Sequence, residues 1–141
     1  MSTTQQTLWA PQDIPTQTAQ ALVTATWKQR GTGATFSPCQ TYRYALWRVW
    51  DMTKPLLLVV GLNPSTATAT TNDPTIVRCL VRAITLEQGG LLMGNLFAYR
   101  SPSPKALRTI DDPVGLDNMQ WLSRMAESAG TIICAWGVHG K

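Results

Sequence analysis

Histidine is nearly missing from this chain of 141 residues: His139 is the single copy. No histidine cluster can hold a metal, and a Ser-His-Asp site would rest on a residue at the extreme end of the chain. Cysteine is scarce too. Cys39, Cys79 and Cys134 form neither an even disulfide framework nor a paired metal spacing, so buried structural thiols and a reducing cytoplasm are expected. Only 14% of residues are charged against 44% hydrophobic, which excludes a coiled coil or a charge-driven disordered segment and predicts a packed core. The longest apolar run, residues 56–60 extended by Gly61 and Leu62, falls far short of the ~20 residues that cross a bilayer. Residues 1–6 carry no basic side chain and lead into no apolar block, so no secretory signal is expected. Neither G-x-G-x-x-G nor a Walker lysine occurs, which argues against dinucleotides and nucleoside triphosphates.

What is there suffices for one compact domain. Lys and Arg number 12 against 8 Asp and Glu, a net charge of +4 that suits a polyanionic partner but is scattered singly along the chain. Residues 1–33, rich in Thr, Gln and Ala, read as an arm whose Trp9 and Trp27 dock on the domain or on a protein partner. The domain is expected over residues 34–141. Residues 42–50 alternate aromatic and aliphatic side chains with Arg43 and Arg48 and predict an edge strand. Residues 56–61 are a continuous apolar run, as in a strand covered on both faces. Asn72 or Asp73 before Pro74 starts a helix with Ile76, Val77, Leu80, Val81 and Ile84 on one face, ended by Gly89-Gly90. Residues 91–97 read as a second apolar strand, residues 117–128 as a helix carrying Trp121, Leu122 and Met125, and residues 131–136 as a third buried strand. This alternation predicts an α/β fold, a three-layer sandwich with a mainly parallel central sheet, with its ligand beyond the carboxyl ends of the strands.

The unusual polar residues collect at those ends. In Gly61-Leu62-Asn63-Pro64-Ser65-Thr66, glycine allows close approach of a ligand, Pro64 fixes a turn, and Asn63 presents an amide at the mouth of the sheet. The same residues also serve simply to turn the chain and cap a short helix. Asn95 interrupts an apolar strand, and a buried amide must find partners or cost roughly 1–3 kcal/mol, so it ties strands to a loop or faces a polar ligand. Phe97 and Tyr99 offer stacking surface, and Arg100, past the strand end, is placed for a phosphate. Asp73 is a helix cap, or a carboxylate able to orient a water. Asp111-Asp112-Pro113 reads as turn chemistry.

The segments Phe36-Ser37-Pro38-Cys39, Leu62-Asn63-Pro64-Ser65-Thr66-Ala67, Asp73-Pro74-Thr75-Ile76, Asn95-Leu96-Phe97-Ala98-Tyr99-Arg100, Asp112-Pro113-Val114-Gly115 and Ala135-Trp136-Gly137-Val138-His139-Gly140 resemble a bacterial and phage family, domain of unknown function 1643, over residues 34–140. A second, weaker resemblance is to the uracil-DNA glycosylase superfamily. It implies a glycosylase-like sandwich in which the asparagine of a Gly-x-Asn-Pro segment, here Asn63, positions the hydrolytic water, while an asparagine of the next strand, here Asn95, reads a pyrimidine edge. Such proteins also carry a carboxy-terminal His-Pro-Ser type motif. This chain stops at Lys141 just past its third strand, so a shortened domain is expected and His139 does not match that motif.

The resulting expectation is a glycosylase-like protein, a hydrolase of N-glycosidic bonds, that acts on or binds a base, modified or not, in DNA or a nucleotide. Asn63 and Asp73 would carry catalysis, with Gly61, Leu62, Pro64, Ser65, Asn95, Phe97, Tyr99 and Arg100 binding substrate and neither metal nor cofactor required. A non-catalytic module for nucleic acid or protein, such as a phage-encoded regulator, is the alternative.

Overall fold

A computed structural model describes residues 31–137. The proposed docking residues Trp9 and Trp27, and His139, lie outside the described residues. The described chain runs through Gly31–Phe36 (β1), Arg43–Val49 (β2), Leu56–Gly61 (β3), Pro74–Thr85 (α1), Gly90–Asn95 (β4), a short 3₁₀ helix at Pro104–Thr109, Asn118–Ser128 (α2) and Thr131–Cys134 (β5).

All five strands form one sheet in the order β1-β2-β4-β3-β5. β4 inserts between β2 and β3, antiparallel to the first and parallel to the second, and β5 pairs parallel with β3. The mainly parallel, glycosylase-like sandwich expected above is therefore corrected to a mixed sheet. Its cause lies before residue 55. Six residues connect β1 to β2, too few for a crossover, so those strands form an antiparallel hairpin and β2 then lies antiparallel on β4. Within the hairpin, Thr35 pairs with Ala45 and Phe36 with Arg43, which leaves Tyr44 as a bulge on β2.

Two apolar layers hold the sheet. On one face Ala45, Trp47 and Val49 of β2, Leu56, Leu58 and Val60 of β3 and Leu92 of β4 pack on Trp121 and Met125 of α2. On the other, Leu46, Leu57, Val59, Leu91 and Met93 pack on Ile76 and Ala83 of α1. Each fully buried leucine here contributes about 2 kcal/mol of transfer free energy.

Four further expectations change. β2 is an interior strand, buried along its whole length, because β1 covers the edge it was expected to occupy. β5 is the opposite edge, and Thr131, Ile132 and Cys134 are exposed there instead of buried. Helix α1 buries Ile76 and Ala83, leaving Val77, Val81 and Ile84 in solvent, since the narrow flank with the small Ala83 is the one that closes on the sheet. Cys39 and Cys134 are exposed and Cys79 half-buried, so none is the deeply buried thiol that was expected.

Candidate functional site

The two polar segments singled out above run side by side beyond the strand ends. Pairing of β3 with β4 continues past both strands: Leu96 N–H donates to the Gly61 carbonyl at 3.0 Å, Phe97 N–H to Leu62 at 2.9 Å and Ser101 N–H to Pro64 at 2.9 Å. Asn63 staples this extension. Its Nδ2 donates to the carbonyls of Ser101 (2.9 Å), Pro64 (3.1 Å) and Tyr99 (3.4 Å), so its nitrogen is occupied by backbone. Pro64 is buried beneath this staple, while Leu62 and Ser65 are half-buried.

Asn95 ends β4 on the α1 face, only 2% exposed, and its Oδ1 is buried with no hydrogen-bond partner. Gly61 is its register partner on β3. A Cβ there would stand 3.0 Å from Asn95 Nδ2, so glycine is what lets the amide lie flat across the tip. From the opposite face, the wholly buried Asn118 in the first turn of α2 donates to the carbonyls of Asn95 (2.9 Å) and Leu96 (3.1 Å). The strand end is thus held from below while its side chain is left unpartnered above.

Three arginines reach this α1 face. Arg48, on β2, is fully engaged: Nε donates to Asn72 Oδ1, Nη1 to the carbonyls of Gly33 and Trp47, and Nη2 to those of Thr68 and Thr71. Arg43, at the start of the same strand and 2% exposed, donates only through Nη1, to the Ala67 carbonyl at 3.2 Å; its Nε is buried and unpartnered. Arg100 stacks over the Phe36 ring, its guanidinium carbon 4.7 Å from the centroid, and donates through Nη1 to the Gln40 carbonyl, again leaving a buried Nε unpartnered. Burial pulls the Arg43 guanidinium down to about 10, with Asp73 opposing and the positive charges of Arg100 and Arg48 adding to the fall.

Asp73 has two structural duties. Its Oδ1 accepts from Ile76 N–H at 2.9 Å as the cap of α1, and its Oδ2 accepts from Ala67 N–H at 3.2 Å, which closes the loop that also binds Arg43 and Arg48. Tyr99 belongs to another cluster, edge-on to Tyr42 with centroids 6.0 Å apart, and Tyr42 in turn stacks on Tyr44 of the α2-side core. Phe97 is half-buried beside the tips. Asp112 caps its own turn, accepting from Gly115 N–H. The fold therefore gathers Gly61, Asn63, Pro64, Asn95, Arg100 and Asp73 around one end of the sheet and turns the Tyr99 ring elsewhere. Sequence reasoning passed over Arg43, Phe36 and Asn118, and the one available signal was a second cationic residue in an otherwise apolar strand.

A family model described as protein of unknown function matches residues 43–141, which takes in both strand tips and Arg43. The chain belongs to the DUF1643 family. No curated protein and no solved structure matches it. Among the described residues of this DUF1643 protein, no helix is long and apolar enough to cross a membrane, and no group of three or more His, Cys, Asp or Glu could hold a metal. At this end of the sheet the Oδ1 of Asn95 and the Nε of Arg43 and of Arg100 are buried without a hydrogen-bond partner, as is the Oδ1 of Asn118 on the α2 side.

Proposed function

We propose that this domain binds a nucleobase-bearing ligand, a nucleotide or a base in nucleic acid, at the tips of β3 and β4, with Asn95 hydrogen-bonding the edge of the base. The observation that carries this reading is the unpartnered Oδ1 of Asn95. A buried amide oxygen without a donor costs roughly 1–3 kcal/mol, and a ligand N–H would recover that cost. Asparagine suits the task because one side chain offers an acceptor and two donors in a plane, which matches the edge of a base. Phe97 supplies a ring at the same end, and the local excess of arginine favours a ligand that also carries negative charge.

Binding is preferred to hydrolysis on the same grounds. Asn63, expected to position water, gives its amide nitrogen to three carbonyls. Asp73, the other expected catalytic residue, is committed on both oxygens. The test is titration of the full chain with nucleosides and with short single-stranded oligonucleotides carrying ordinary, uracil and modified bases, followed by tryptophan fluorescence, with chromatography of the same mixtures for free base. Saturable binding that weakens about tenfold or more in Asn95→Ala, with no free base, is the expected result. Base release abolished by Asn63→Ala would replace this reading with the hydrolytic one, and equal binding by wild type and Asn95→Ala would remove Asn95 from the site.

A further inference from the structure

We propose that Arg43 and Arg100 form an anion subsite that takes a phosphoryl group of the ligand, an assignment that deepens the nucleotide reading and rests on it for the ligand's identity. The argument starts from guanidinium geometry. Nε–H and one Nη2–H point the same way and form the fork that grips two oxygens of a phosphate or carboxylate. Arg43 and Arg100 each spend Nη1 on a backbone carbonyl, and neither places this fork on any described residue. Both Nε atoms are buried, so water outside the protein does not satisfy them.

Their placement is also specific. Phe36 and Arg43 are cross-strand partners at the end of the β1–β2 hairpin, and Arg100 stacks on Phe36, so one ring sets the two cationic groups side by side. The two lie within electrostatic reach of one another, with Arg48 adding a third positive charge and the Asp73 carboxylate opposing them. Gathering like charges while leaving their best hydrogen-bonding edges empty is unfavourable until an anion enters. Arg43 is deeply buried and Arg100 half-buried, which makes Arg100 the outer member and the side of entry. Asn95 ends the neighbouring β4 on the same face, so a ligand that reaches both carries its phosphate close to its base, as a nucleotide does.

The experiment is calorimetric titration of the full chain with inorganic phosphate, a nucleoside, its 5′-monophosphate and a short single-stranded oligonucleotide, each at low and high salt. The monophosphate should bind about ten- to a hundredfold more tightly than the nucleoside, the worth of one or two charge-assisted hydrogen bonds. Arg100→Gln should remove that gain and leave nucleoside affinity unchanged. Arg100→Lys, which keeps the charge and loses the fork, should remove most of it. Because Arg43 is buried, Arg43→Met is read only beside a thermal melt that verifies folding, with Arg100→Gln carrying the result if it does not fold. Equal binding of nucleoside and monophosphate, or a gain that survives Arg100→Gln, overturns the subsite while leaving the base reading intact. Phosphate binding that requires Arg100, with no binding of nucleosides, keeps the subsite and overturns the base reading. Absence of binding by every probe overturns both. A preference for the oligonucleotide with a steep salt dependence assigns the phosphoryl group to a nucleic-acid backbone, and a preference for the monophosphate assigns it to a free nucleotide; either supports the subsite.

Discussion

Arg43 and Arg48 stand on one strand, face the same side of one sheet and are both deeply buried, yet they do different things. Arg48 is saturated with backbone and side-chain acceptors from β1, from its own strand and from the loop before α1. Arg43 donates through a single nitrogen. The first is a rivet for the loop over residues 68–72, and the second keeps a buried Nε without a partner. Burial alone cannot separate a structural arginine from one kept for a ligand; the count of unfilled donors can.

The largest effect should come from Arg48→Met, which takes a donor from five acceptors and should cost about 3 kcal/mol or more, read from the midpoint of urea unfolding. Asp73→Ala should follow at about 2 kcal/mol, since the helix cap and the clamp on Ala67 fail together. Arg43→Met should cost no more than about 1 kcal/mol. The folded state disfavours the Arg43 charge, and that cost, present below the lowered folded pKa of about 10, fades as pH rises through it; removing the charge offsets the lost bond to Ala67. Equal destabilisation by Arg43→Met and Arg48→Met would break the comparison. Gly61→Ala should cost a similar amount, about 1 kcal/mol, as the new methyl presses on Asn95 and Met93, and should weaken base binding through the displaced amide.

Local pattern was enough to find β3, β4, the helix from Pro74 with Asp73 at its cap, and the helix carrying Trp121 and Met125. Each is set by neighbours in sequence: an unbroken apolar run, a carboxylate before proline, a stripe at helical spacing. Sheet order is set by distant pairing, and nothing within residues 42–50 tells that β4 lies beside them and β1 outside them. For the same reason Val77, Val81 and Ile84 read as one face with Ile76, yet only Ile76 of these is buried: periodicity reports which residues share a face, and only the partner decides which part of it closes. At the site, an asparagine inside an apolar strand singled out Asn95, and position past a strand end singled out Arg100. Arg43 and Arg48 looked alike because the carbonyls that distinguish them come from residues 67–71, about twenty positions further on.

The bulge at Tyr44 has a directional consequence. Residues five apart on a regular strand project to opposite sides; the extra position absorbs one step, so Arg43 and Arg48 share the α1 face while Tyr44 and Ala45, neighbours in sequence, both join the layer of Trp121 and Met125. One inserted position thus lets the strand give two consecutive side chains to its apolar layer and still keep both arginines on the other side. Excising Tyr44 would straighten the strand, leave both arginines where they are, and take away the ring on which Tyr42 stacks.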